Sequence, residues 1–235
     1  MGYRRILLKM SGEALGQEGV LGIDPKIVLS LATQIRSALD GGDLQLAMVV
    51  GGGNFLRGEQ LASQGIDRVT GDNMGMLATI MNALALQSGL EAAGVETRVQ
   101  SAIQVNDVAE PFIRRRCIRH LEKGRVVILA AGSGHPYFTT DTAAALRALE
   151  IGATALYKAT KVRGIYSADP QSNPEAKFFT RLSFLDVLRQ ELRVMDATAI
   201  SLCMENRLPI LVFSMKEPGN VERVLKGEKL GTLVE

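Results

Sequence analysis

A chain of 235 residues, 46% hydrophobic and 22% charged, has the composition of an ordinary folded protein and the length for one large α/β domain or two small ones. Its formal charge of +2 argues against general nucleic-acid binding. Two distant cysteines, Cys117 and Cys203, exclude a disulfide framework or a zinc site, and no window has the length of a signal-peptide core or a membrane span, so a cytoplasmic protein is expected.

In chain order, Arg5 to Leu8 reads as a strand ending at Lys9-Met10-Ser11-Gly12, followed by a polar loop from Glu13 to Gly22. Asp24 is placed as a helix cap with Pro25 at the first helical position. That helix runs to about Leu39, with Ile27, Leu31, Ile35 and Leu39 as its core stripe. Leu46-Ala47-Met48-Val49-Val50 fits a strand covered on both faces, and it runs into Gly51-Gly52-Gly53 and then Arg57. Such glycines let backbone N–H groups close on an anion, and Arg57 adds a planar cation. A tight turn with a surface arginine is the plainer alternative.

A long helix is expected from Asn73 to about Ala93, then a strand from Val95 to Val99. Glu110-Pro111 is read as opening a helix that carries Arg114-Arg115-Arg116, Arg119 and His120, either as a solvated face or as a contact for nucleic acid or a partner. Arg125 to Ala131 is a second buried strand, ending in Gly132-Ser133-Gly134, and Thr140 or Asp141 caps the next helix to about Glu150. Thr154 to Tyr157 is a strand ending at Lys158-Ala159-Thr160-Lys161. Beyond the turn-rich segment 167–174, Ser183 and Asp196 each cap a helix. Ile210 to Phe213 is a strand, Asn220 to Lys226 a short helix, and Thr232 to Val234 a final edge strand. Strands alternate with helices, and no repeat or linker interrupts them. Residues 1–235 are therefore expected to form a single three-layer αβα domain with a mostly parallel central sheet.

Four polar segments follow strands: Lys9 to Gly12, Gly51 to Arg57, Gly132 to Asp141 and Lys158 to Lys161. Ligands of open α/β sheets bind outside the carboxyl ends of the strands, so these loops point to one crevice. Glycine N–H groups, cations and the hydroxyls of Ser11, Ser133, Thr139, Thr140 and Thr160 suit a polyphosphate. Single residues remain ambiguous. Lys9 is a phosphate ligand or a solvated strand-end lysine, Asp141 orients it or merely favours a helix dipole, and Asp72 and Asp196 are functional or caps. The P-loop, the G-x-G-x-x-G fingerprint, the protein-kinase set and a Gly-x-Ser-x-Gly elbow are all missing.

Lys9–Leu15, Gly51–Gly58, Gly71–Thr79, Gly132–Asp141, Lys158–Val162, Gly164–Pro170 and Val194–Asp196 together resemble the bacterial uridylate kinase family of the amino acid kinase superfamily, in family order over nearly the whole chain. The resemblance implies phosphoryl transfer from ATP, with Mg2+, to UMP. It assigns Lys9, Met10, Ser11, Gly12, Gly53, Arg57, Thr160, Tyr166 and Asp169 to ATP. Gly52, Asp72, Ser133, Gly134, His135, Pro136, Tyr137, Phe138, Thr139 and Thr140 go to UMP, and Lys9, Asp141 and Asp196 to catalysis, with Asp196 acting on the metal or its waters. It further implies a homohexamer activated by GTP through Gln17, Glu18, Gly19, Val20, Leu21 and Gly22, and inhibited by UTP. His135 departs from the usual Asn and Arg163 from the usual Asp. Two rivals are a related kinase of small carboxylates and a non-catalytic nucleotide sensor acting through Arg114–Arg116.

Overall fold

The computed structural model describes residues 4–56, 65–170, 172–192 and 194–235; Arg57 and Gly58 of the glycine segment lie outside them. The apolar runs become β1 (Arg5–Met10), β2 (Gln45–Val50), β5 (Val126–Ala130), β6 (Ala155–Thr160) and β10 (Ile210–Ser214). Shorter strands are β3 (Thr97–Ser101), β4 (Glu110–Pro111), β9 (Arg181–Leu182) and β11 (Thr232–Val234), with a separate hairpin of β7 (Ile165–Tyr166) and β8 (Phe178–Phe179). The nine-stranded sheet has the order β4-β3-β5-β2-β1-β6-β10-β11-β9, and among the described residues only the β10–β11 pairing is antiparallel.

Because successive strand residues face opposite ways, β1 feeds two cores. Ile6, Leu8 and Met10 pack with α1 (Pro25–Leu39), α2 (Arg68–Ala92) and α7 (Asn220–Leu225). Leu7, Ala47 and Val49 pack on the other face with α3 (Arg114–Glu122), α4 (Thr140–Glu150), α5 (Phe184–Arg189) and α6 (Ala197–Glu205). Cys117 and Cys203 sit in that second core, where burial pushes both thiols up to about 12. They are packing groups rather than reactive ones. No helix among the described residues is long and apolar enough to cross a membrane.

Several expectations about local structure hold. Asp24 caps α1 through the Lys26 N–H, with Pro25 in the first turn. Ser183 and Asp186 form a reciprocal capping box on α5, and Asp196 caps α6. Others are corrected. Helix α2 begins at Arg68 with Asp67 as its cap, so Asp72 lies inside the helix and is no cap. Glu110-Pro111 is a strand pairing with β3, and α3 starts only at Arg114. Its His120 is buried against Glu110, not part of a solvated basic face. Thr139, not Thr140 or Asp141, caps α4. Strand β11 is not the sheet's edge, because β9 pairs beyond it.

Packing gives a second reason for a glycine in the segment after β2. A Cβ on Gly52 would lie 2.8 Å from the Gly75 carbonyl oxygen and 2.9 Å from the Ala78 Cβ, both on α2. The room left by the missing side chain is filled by that helix. Gly52→Ala should therefore force α2 off the sheet and lower stability by about 1–3 kcal/mol. Urea unfolding should show the midpoint falling with the slope unchanged.

Candidate active site

Lys9 and Lys158 stand opposite each other in the parallel register of β1 and β6, on the sheet face covered by α4. Like charges placed side by side on a sheet repel. Asp141, in the first turn of α4, separates them: its Oδ1 is 2.6 Å from Lys9 Nζ and its Oδ2 2.6 Å from Lys158 Nζ. Lys158 also donates to the Val194 carbonyl. Lys9 is 8% exposed, which excludes the solvated-lysine alternative. Burial alone pushes the Asp141 carboxyl up, but the charges of Lys9 and Lys158 outweigh it and hold the group below the usual carboxylate range. Lys158 moves down from the usual lysine range, through burial first and the neighbouring Lys9 charge second, against the pull of Asp141.

A second carboxylate ties two helix starts together. Asp196 accepts from the Ala199 N–H of its own helix at 2.9 Å, from the Thr142 hydroxyl at 2.8 Å and from the Thr139 hydroxyl. Thr139 in turn accepts from the N–H groups of Asp141 and Thr142, which fixes the first turn of α4. Asp196 is a cap whose carboxylate also holds the start of α4. It reaches Asp141 only through Thr139 and the backbone, and its oxygens are already engaged by protein donors.

On the other side of the sheet's carboxyl edge, Asp72 projects from α2. Arg68 Nε lies 3.0 and 2.9 Å from its two oxygens, and the Tyr137 N–H donates to it at 2.8 Å. The segment from Gly132 to Thr140 is thus held against α2 at Tyr137, whose φ of 70° is left-handed. Ala131, with φ 62°, starts this segment, and its N–H donates to the buried Thr79 hydroxyl of α2 at 2.7 Å. Ser133 receives the His135 N–H, while His135, Tyr137 and Phe138 are exposed.

Ser11, Gly53 and Thr160 line a cavity of about 610 Å³ together with Gln17, Glu18, Gly19, Val20 and Leu21 and with Lys26, Met215 and Lys216. The segment expected to answer GTP therefore forms a wall of the cavity that carries residues expected to hold ATP. Lys161, at the end of β6, pairs with Glu13 at 2.9 Å and Glu18 at 3.6 Å. Tyr166 and Asp169 stand apart from the cavity lining: Tyr166 is on β7, its ring 5.2 Å from that of Phe178, and Asp169 opens the following turn. Arg163, at the departure from the family turn, lays its guanidinium over the Phe178 ring at 4.6 Å.

The structure adds Thr79 and Thr142 to the residues singled out from sequence, and it gives Lys158, singled out only as part of the segment Lys158 to Lys161, a specific partner in Asp141. Lys158 had a usable signal, a cation within the otherwise apolar run Ala155–Ala159. The two threonines had none, since a hydroxyl on a buried helix face is indistinguishable from a spacer until its partner is known. The charge triad predicts a pH signature. A depressed folded-state pKa means that Asp141 binds fewer protons folded than unfolded, so its stabilisation is present above the ordinary value of about 4 and lost as pH falls through the folded value. Asp141→Asn should cost about 3–5 kcal/mol near neutrality, because it leaves two buried ammonium groups facing each other. In urea unfolding followed from pH 7 downward, the gap between wild type and variant should narrow as the medium becomes more acidic.

Comparison with known proteins gives the same picture at the level of the whole chain. Residues 4–214 match the family model described as the amino acid kinase family. A UMP kinase from Bacillus anthracis is 40% identical, with 100% of this chain and 97% of that one covered at a TM-score of 0.95. A UMP kinase from Ureaplasma parvum is 39% identical, with full coverage of both chains and a TM-score of 0.92. A uridylate kinase from Archaeoglobus fulgidus is more distant at 27% identity, covering 98% and 99% of the two chains with a TM-score of 0.75. The glycine-bearing strand ends, the paired lysines with their carboxylate, and these similarities have one explanation: the chain belongs to the amino acid kinase family.

Proposed function

We propose that this protein is an ATP-dependent UMP kinase, forming UDP and ADP as a step of de novo pyrimidine nucleotide synthesis towards CTP. The observation that carries this reading is the full-length similarity, at 39–40% identity, to proteins known as UMP kinases. Residues 1–235 act as one amino acid kinase-type domain, working in the cytoplasm as a homohexamer without membrane or nucleic-acid partners.

An oxygen of the UMP phosphate is already anionic near neutral pH, so the attack on the γ-phosphorus needs no general base. The new bond forms between that oxygen and the γ-phosphorus while the bond to the β,γ-bridging oxygen breaks and ADP leaves. Catalysis then consists of alignment and of neutralising charge on the moving group. In this mechanism Lys9 faces the transferring phosphoryl group, and Asp141 holds Lys9 in place with Lys158 on its other side. The N–H groups at Gly12, Gly52 and Gly53 offset further charge. Met10, Ser11, Arg57, Thr160, Tyr166 and Asp169 complete the ATP side. UMP is held by Asp72 at its ribose hydroxyls and by the segment from Ser133 to Thr140.

Mg2+ belongs to this scheme as part of the ATP substrate. Among the described residues no three His, Cys, Asp or Glu side chains gather into a metal cluster, Asp141 is engaged by Lys9 and Lys158, and Asp196 by two hydroxyls and a backbone N–H. Magnesium is commonly carried by substrate phosphates with few protein ligands, which fits such a site. Activation by GTP through residues 17–22 and inhibition by UTP complete the proposal, since that segment walls the cavity with Ser11 and Gly53.

The deciding experiment measures ADP release from ATP and Mg2+ over a panel of nucleoside monophosphates and small amino-acid carboxylates. Stimulation by UMP above all others is expected. Preference for a carboxylate would make the protein a different kinase of this family, and no acceptor at all would favour a nucleotide sensor. Lys9→Ala should lower kcat by about 10²–10³-fold while changing UMP affinity far less, as expected for a donor of charge stabilisation. Equal losses in both would remove Lys9 from the transfer step.

A further inference from the structure

Helix α2 carries a buried carboxamide, Asn82, with 0% exposure, facing a second one, Asn54, with 3%. The two amides bond reciprocally: Asn82 Nδ2 donates to Asn54 Oδ1 at 2.7 Å, and Asn54 Nδ2 donates to Asn82 Oδ1 at 2.9 Å. Each has one donor left over. Asn82 spends its second N–H on the Gly51 carbonyl at 2.7 Å, and Asn54 spends its second on the Gly22 carbonyl at 2.9 Å. The Gly22 N–H returns a bond to the Asn54 carbonyl at 2.8 Å. All four amide donors are satisfied, as a buried network of this kind must be to persist.

The place of this pair matters more than its strength. A Cβ on Gly12 would lie 2.4 Å from the Gly51 oxygen, 2.5 Å from Asn54 Oδ1 and 2.9 Å from Asn82 Nδ2, so the loop after β1 is pressed against the same junction. In a planar trans peptide the C=O and the following N–H point in opposite directions. Holding the Gly51 oxygen on Asn82 therefore turns the Gly52 N–H away from α2. No backbone acceptor meets the N–H of Gly52 or Gly53 among the described residues. The pair also anchors Gly22, the residue that follows the stretch 16–21 lining the cavity with Ser11 and Thr160.

We propose that Asn82 and Asn54 are positioning residues for phosphoryl transfer. Asn82 aims the Gly51–Gly53 backbone at the transferring group, and Asn54 fastens the wall segment 16–22 to that same backbone. The proposal rests on the phosphoryl-transfer reading above. Neither side chain touches a reacting atom; both act through the backbone they hold, so their loss should appear in turnover before affinity.

The test compares Asn82→Leu, Asn54→Ala and wild type as full-length enzymes, with Thr97→Val as a control that loses a buried hydroxyl bond on β3, remote from the glycine segment. Asn82→Leu should lower kcat by about 10²-fold with KM for UMP changed by no more than about threefold, the effect of a small misplacement at the reacting centre. Hydrogen exchange should quicken in both 51–55 and 16–22. Asn54→Ala keeps the bond from Asn82 to Gly51, so exchange should quicken in 16–22 with a smaller loss of kcat. Thr97→Val should lower Tm comparably and leave kcat within about twofold. Asn82→Leu with Tm reduced but kcat within about threefold of wild type overturns the proposal. If Asn82→Leu does not fold, unchanged exchange of 16–22 in Asn54→Ala overturns it. A wild-type protein that UMP does not stimulate sinks the phosphoryl-transfer reading instead, while the exchange measurements still report on the pinning.

Discussion

The charge arrangement at the carboxyl edge of the sheet depends on one carboxylate between two ammonium groups. Lys9 and Lys158 are forced into adjacent positions by the β1–β6 register, and both point into a buried layer. Without Asp141 that register would bring two desolvated cations together. With it, the sheet, helix α4 and the charge arrangement specify one another. A buried ion pair of this kind contributes little net stability, since desolvation offsets most of the Coulomb gain. What it provides is a cation held in one orientation. Asp196 extends the same logic one layer outward, joining the starts of α4 and α6 through Thr139 and Thr142.

On the opposite face, α2 plays the corresponding part with one carboxylate and two neutral groups. Asp72, Thr79 and Asn82 recur at intervals of seven and three residues, which places them along one side of a helix. Between them they hold two loops: Asp72 and Thr79 take the Tyr137 and Ala131 N–H groups of the segment after β5, and Asn82 takes the Gly51 carbonyl after β2. The glycines fit this picture. Gly52 lets the strand end approach the backbone of Gly75, and Gly12 lets the first loop approach Gly51. Small residues bring the loops within reach, and polar side chains of one rigid helix then fix them.

Much of this was readable before any coordinates. Apolar runs bounded by glycines gave the buried strands, and Asp24-Pro25, Ser183 and Asp196 marked helix starts because capping is a local interaction visible in local sequence. The errors have two causes. The strand at Glu110-Pro111 and the partner of β11 are set by contacts distant in sequence, which no local pattern encodes, whereas the starts of α2 and α4 rest on the local caps Asp67 and Thr139, which compete with equally plausible cap residues a few positions on. Lys9 and Asp141 were readable as a pair because each follows a strand end, whereas Lys158 became a partner only through the β1–β6 register. Thr79 and Asn82 illustrate the same limit: their type is unremarkable, and only the loop each one meets gives it a role.

The two family departures can be weighed in the same terms. At the first turn position after Val162, an Arg stands where the family resemblance leads to the expectation of an Asp, a reversal of charge close to Lys161 in sequence. The guanidinium is drawn instead onto the Phe178 ring, a cation–π contact that keeps it on the hairpin. Next to it, a Cβ on Gly164 would lie 2.5 Å from the Thr232 hydroxyl, so the turn is packed against β11. Thr232 also accepts from the Ile165 N–H at 2.8 Å, which holds the start of β7 to the sheet. The turn's backbone is thus set by Gly164 and Thr232, and the residue at 163 is free to change charge without moving it. His135 is exposed on a loop whose path is fixed at Ala131 and Tyr137, so replacing the usual Asn there changes the chemistry offered to solvent or ligand while the path of the loop stays the same.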